Sequence, residues 1–135
     1  MIDIENQTFT IVRDRANAKL PFTVDFSSEY VDTPTKFPHT SLYVADIIAN
    51  TKYEDSSRVE NVSDVFFEVD HYSNKQSTRK SECKMIAKAV DEVMEELGFR
   101  RVMMNPIPNI ADSTVYRIKA RYAGTVDRNN YIYRR

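Results

Sequence analysis

"STRKSECKMIAKAVDEVMEELGFRRVMM", residues 77–104, holds the transition that decides the fold. Cys83, Ile86, Ala87, Val90, Val93, Met94 and Leu97 recur at spacings of three and four, so residues 77–97 are expected to form an amphipathic helix of about four turns or more. Gly98 offers the residue type that most easily takes the left-handed position after a helix, and Phe99 is placed to fold back near Met94 in a Schellman close. The pattern then changes period, and "FRRVMM" is expected to be a short strand. A helix with one apolar stripe needs a second layer to cover it, and the strand that follows points to a sheet.

Working outward, "STVYRIKARYAGTVD" (113–127) reads as a long strand and "NYIYRR" (130–135) as a last edge strand after a turn at 127–130. On the other side, "DVFFEVDHYS" (64–73) and "SLYVADIIA" (41–49) are rich in β-branched and aromatic residues and read as two strands. The polar stretch between them, "NTKYEDSSRVENVS", is too long for a tight turn, and a projecting loop or hairpin arm is expected near residues 49–63. "SSEYVDTPTKFPHT" carries Pro34 and Pro38 and reads as an extended connection. "FTVDF" alternates Phe22, Val24 and Phe26 as a short strand, and residues 3–19 show a stripe of Phe9, Val12, Ala16 and Leu20 on a polar first helix stopped by Pro21. Helix, three strands, helix and three strands make one α+β domain over residues 1–135. Its mostly antiparallel sheet of about five or six strands should carry both helices on one face.

The totals agree with one folded domain. At 135 residues the chain is long enough for a real core, and 41% hydrophobic content is too apolar for a disordered chain. Lys plus Arg number 19 against 20 Asp plus Glu, so no global field steers the protein toward nucleic acid or an anionic membrane. The single Cys83 excludes an intramolecular disulfide. No apolar run reaches the roughly 18–20 residues of a membrane span and the N-terminus lacks a signal-peptide pattern, so a soluble protein kept inside a cell, with no membrane contact, is expected.

No reaction is spelled out. Cys83 lies on the apolar helix stripe, and His39 and His71 are isolated, with no His-x-x-x-His or Cys-x-x-Cys spacing, so neither a nucleophile nor a metal centre is expected. The two glycines, Gly98 and Gly124, suit a helix end and a strand bend and cannot build a phosphate-cradling loop. Glu95 and Glu96 belong to a solvated helix end. The expectation is no enzyme, no cofactor and no catalytic residue.

Two constellations point to contact surfaces. Glu68 and Asp70 share one face of their strand, as Arg117, Lys119 and Arg121 do of theirs, and as neighbours these strands would pair their charges across the ladder. The alternative is a charged face toward a partner subunit or nucleic acid. The segment "NPIPN" is stiffened by Pro106 and Pro108 and cannot be a central strand. With the adaptable Met103 and Met104 before it and Ile107 and Ile110 within and after it, it reads either as a docking bridge or as a loop covering its own core.

Together, "FFEVDHYSNK", "SECKMIAKAVDEVMEELGF", "NPIPNIADSTVYRIKARYAG" and "YIYRR", with "SSEYVDTPTKFPHTSLY" before them, resemble the tail terminator or tail-completion proteins of long-tailed bacteriophages, as found in phages and prophages of Gram-positive bacteria. The resemblance covers nearly the whole chain and rests on the combination and order of segments. It implies an α+β subunit of a hexameric ring on the last ring of the tail tube, ending tube growth and presenting the head-joining surface. Implied partners are copies of itself, the tail tube protein and a head-completion or connector protein, with genomic DNA passing through the lumen without sequence-specific binding. Implied locations are the tail or neck of the virion and the host cytoplasm during assembly. Candidate subunit-interface residues are Tyr53, Arg58, Val59, Met103, Met104, Ile107 and Ile110; the candidate ring or lumen face is Glu68, Asp70, Arg117, Lys119 and Arg121. A head-side adaptor or stopper of the neck is the alternative, and a small nucleic-acid-binding domain a more distant one. Asn6, Gln7, Thr8, Thr10 and His39 depart from the expected pattern by being more polar.

Overall fold

The computed structural model describes residues 2–49, 62–108 and 112–133. In chain order these form α1 (Glu5–Lys19), β1 (Asp25–Ser27), β2 (His39–Ala49), β3 (Val62–Ser73), α2 (Arg79–Leu97), β4 (Arg100–Pro106), β5 (Tyr116–Asp127) and β6 (Ile132–Tyr133). The six strands make one sheet in the order β1-β2-β3-β5-β4, with β6 on the same strand, β5, that pairs with β4. Every pairing is antiparallel except β1 with β2. The fold is the expected α+β one.

The α2 stripe builds the core. Cys83, Ile86, Ala87, Val90, Val93 and Met94 are buried, against Val65, Phe67 and Val69 of β3 and Ile118, Ala120 and Tyr122 of β5. Gly98 takes φ 102°, and the Phe99 N–H donates to Met94 O at 3.0 Å, the expected Schellman close. Phe99 then stands edge-on to Phe67 with ring centroids 5.2 Å apart. Its ring also explains Gly124 differently from the strand bend expected above. A β-carbon at position 124 would lie 2.5 Å from Phe99 Cδ1, so glycine makes room for the ring.

The first helix packs on the same core through Val12 and Ala16, but with Thr8 as the third buried residue, while Phe9 and Leu20 pack at the margin. Its polar character has structural uses. Asn17 Oδ1 accepts from the Val24 N–H at 2.8 Å while its Nδ2 donates to Val24 O at 3.3 Å, which clamps the chain as it turns into β1. Glu5 Oε2 accepts from the Val44 N–H at 2.6 Å, beside the register shift between Val44 and Asp46 of β2. The "FTVDF" alternation is kept, with Val24 buried and Phe22 and Phe26 against the core, although the ladder begins only at Asp25.

Two further departures concern the second half. Asn105 and Pro106 pair with Lys119 and Ile118, and Ile107 N–H donates to Arg117 O at 2.9 Å. The start of "NPIPN" therefore continues β4 and is not a free bridge. Proline is tolerated there because β4 is an edge strand. A register shift between Arg101 and Met103 leaves Val102 exposed and sets Met103 opposite Arg121 and Met104 opposite Ala120. The adjacent methionines thus point to opposite faces of the sheet.

Candidate functional site

The face of the sheet away from the helices carries the charged ladder. The β3–β5 register places Glu68 opposite Arg121, Asp70 opposite Lys119 and Tyr72 opposite Arg117. Ion pairs run along and across it. Arg117 Nε and Nη2 donate to Asp70 Oδ1 at 3.0 and 2.9 Å, Lys119 Nζ lies 3.6 Å from Glu68 Oε2, and Arg121 reaches Glu68 Oε1 at 3.3 Å and Asp46 Oδ2 at 2.9 Å. The connection between β1 and β2 roofs one end. Tyr72 donates its hydroxyl proton to Val31 O, and Arg117 lies over the rings of Tyr30 and Tyr72 at 5.5 and 5.4 Å. Asp70 is wholly buried, and the Arg117 side chain is 12% exposed. The five candidate residues are brought together, then, as a self-neutralised network. Buried next to Asp70, the Tyr72 hydroxyl is pushed well above its ordinary pKa, first by desolvation and then by that carboxylate. Tyr43, which donates to Glu68 Oε2 at 2.9 Å, is raised first by desolvation and then by that hydrogen bond.

The candidate interface residues are not one patch. Met103 is on the charged face and Met104 on the helix side, where it packs against the core. Ile107 sits half-buried just past β4. Tyr53, Arg58, Val59 and Ile110 lie outside the described residues, as does most of the expected arm near 49–63. On the described side of that arm, the β2–β3 ladder runs out to Ala49 opposite Ser63, and Ile48 is 53% exposed there.

Spacing alone did not reveal one polar chain. The parallel pairing of β1 and β2 sets Asp25 opposite His39 and Ser27 opposite Ser41. His39 Nδ1 lies 2.9 Å from Asp25 Oδ2, and His39 Nε2 lies 3.0 Å from Ser27 Oγ and 3.5 Å from Ser41 Oγ. The order of groups is that of a nucleophile, base and orienting acid. Its surroundings are those of a strand tie. Ser27 Oγ also donates to Glu29 O at 3.0 Å, and neither of the two clefts described below is lined by Asp25, Ser27 or His39. The signal in the sequence was the polar His39 where an apolar residue was expected.

The remaining titratable groups are interior ones. His71 is fully buried, with Nδ1 2.9 Å from Thr40 Oγ1, and desolvation pushes its pKa down to about 3. Cys83 donates its S–H to His71 O at 3.3 Å, and burial pushes its thiol up to about 12. Among the described residues no group of three His, Cys, Asp or Glu side chains could hold a metal ion.

Two clefts flank α2 on the β4 side. One, at the C-terminal end of α2, is lined by Glu92, Glu95, Phe99, Arg100 and Tyr133 among others. The other runs between α2 and β4, with a floor of Ala87, Met104, Pro106, Tyr116 and Ile118. No family model matches the chain, and no curated protein matches it.

Proposed function

We propose that the chain is a structural subunit of a long-tailed phage, acting as a tail terminator. Copies of it form a hexameric ring on the head-proximal end of the tail tube, stop tube growth, and offer the surface to which the head side joins. The resemblance of five ordered segments spanning nearly the whole chain motivates the reading, and one structural observation supports it most. β2 is buried at residues 39–42 but emerges at its far end, where the ladder still runs to Ala49 opposite Ser63 and Ile48 is exposed. β3 stays buried there against β5, so it is the outer strand β2 that leaves the core, and an emerging edge with an apolar side chain uncovered is suited to contact between subunits.

The charged face fits a subunit whose lumen or interface passes DNA without gripping it. Arg117, Lys119 and Arg121 each have a carboxylate partner, which leaves few free cations there for phosphate contacts and disfavours a dedicated nucleic-acid-binding domain. The reading is tested by removing the gene and measuring tails by electron microscopy. Over-long or irregular tails without heads are expected. Tails of normal, uniform length would refute the terminator role, and normal tails that fail only at head attachment would point to a neck adaptor.

A further inference from the structure

Apart from Glu82 in its first turn, which is buried and accepts from the Ser73 hydroxyl, the charges of α2 run against its own dipole. Lys80, Lys84 and Lys88 stand in its N-terminal half, and Asp91, Glu92, Glu95 and Glu96 in its C-terminal half, whereas a helix favours acids at its start and bases at its end. The acidic half has an internal explanation. Glu96 lies 3.1 Å from Lys19 and 3.7 Å from Arg15 of α1, Glu92 lies 3.5 Å from Lys19, and Asp91 holds Arg101 at 3.4 Å and the Tyr122 hydroxyl at 2.8 Å. The basic half has none. Lys80, Lys84 and Lys88 are exposed, and none of them forms an ion pair among the described residues. Stacked at i, i+4 and i+8, they also repel one another along the helix.

These three lysines form one rim of the cleft between α2 and β4, and Arg101 and Asp91, which pair with each other at 3.4 Å and so offset one another, also line it. The cleft has a volume of about 460 Å³, and its floor, from Ala87 across Met104 and Ile118 to Pro106, is apolar. Pro106 has no N–H to offer, which weakens strand addition at that end of β4 and leaves side chains to do more of the recognising there. We propose that this cleft binds an acidic amphipathic segment of another protein. Apolar side chains of that segment would cover the floor, and its carboxylates would meet Lys80, Lys84 and Lys88.

Charge complementarity selects this occupant. A phosphate backbone satisfies the lysines but leaves the apolar floor wet, and a lipid headgroup layer does not enter a cleft behind a helix. A second copy fits less well, because three of the four acids in the C-terminal half of α2 are already engaged by Lys19, Arg15 and Arg101. The proposal goes beyond the terminator reading. It needs no ring, and it stands or falls on the isolated chain.

The test is a titration of the isotope-labelled protein with a synthetic helical peptide that has leucines at i, i+3, i+4 and i+7 and glutamates elsewhere. Amide shifts should concentrate at Ala87, Lys88, Met104 and Ile118. Affinity should fall about tenfold or more in the K80E/K84E/K88E variant and at high salt. A peptide with serine in place of leucine should bind at least about tenfold more weakly, since the floor is then uncovered. The K80Q/K84Q/K88Q variant removes the repulsion among the lysines without adding like charges beside Asp91 and Glu92, so it should lose the binding while its melting temperature does not fall, which separates lost binding from lost folding. Shifts elsewhere, equal binding of the serine peptide, or tighter binding of duplex DNA or phosphatidylglycerol vesicles through the same lysines would overturn the proposal.

Discussion

Replacing Asp70 by alanine tests whether the charged face is an interior network or an open surface. The carboxylate is wholly buried and accepts two hydrogen bonds from Arg117, whose side chain is 12% exposed and lies over the rings of Tyr30 and Tyr72. Removing it strands a guanidinium in a poorly solvated site, a change that costs about 3–5 kcal/mol in comparable buried pairs. The two aromatic faces still offer the cation about 0.5–1 kcal/mol each, which moves the expectation to the lower end, near 3 kcal/mol. Set against a typical total of about 5–15 kcal/mol, that is a large fraction, and the melting temperature should fall by roughly 10 °C. Urea denaturation followed by circular dichroism gives the number directly, with an unchanged m value showing that the denatured state is not the cause. The double variant Asp70→Leu/Arg117→Met removes both charges and should recover most of the loss, because the unpaired charge was the source of it. A loss below about 1 kcal/mol for Asp70→Ala, the range of solvated surface pairs, would refute the reasoning and return this face to the list of available contact surfaces.

Three further outcomes follow from the interior. Gly124→Ala puts a β-carbon 2.5 Å from Phe99 Cδ1 and should destabilise by about 1–3 kcal/mol, with part of the loss recovered by Phe99→Leu in the same chain; a neutral Gly124→Ala in urea denaturation contradicts this. Burial holds the pKa of His71 down at about 3 against 6.5 in the unfolded chain, so its contribution is fully present above pH 6.5 and is lost as pH falls toward 3, by about 1.4 kcal/mol per unit. Stability measured from pH 7 to 5 should therefore fall less steeply in His71→Gln than in the parent, and equal slopes would contradict it. The Cys83 thiol, raised to about 12 by burial, should react with a thiol reagent at pH 8 only as fast as the protein opens, and prompt labelling of the native protein would show that the site is accessible.

What could be read from the sequence was whatever is encoded within one element. The α2 stripe and its Gly98 stop follow from helical periodicity and from the left-handed backbone glycine allows, and both stand as expected. The opposed charges of Glu68, Asp70, Arg117, Lys119 and Arg121 suited a pairing of β3 with β5 but equally an open charged face, and the register shows the pairing. Contacts set by chain return were not legible. The parallel β1–β2 pairing that joins Asp25, His39 and Ser27 depends on where the connection over residues 28–38 lands, and no local pattern states it. Strand alternation by itself parts Met103 from Met104, and the extra residue near Val102, which no local pattern states, decides which of them faces the core. Gly124 looked like a bend because its actual neighbour, the Phe99 ring, is remote in sequence. Lys80, Lys84 and Lys88 stand at helical spacing in the sequence, where they look like an ordinary solvated face. Its meaning needed the strand across the cleft.

The central claim, that this chain closes the end of a tail tube, is tested most directly by electron microscopy of the purified protein mixed with tubes assembled from the tail tube protein of the same phage. A closed ring on one end of each tube, with elongation arrested there, is the predicted result. Tubes with bare ends that keep growing in the presence of excess folded protein would contradict it.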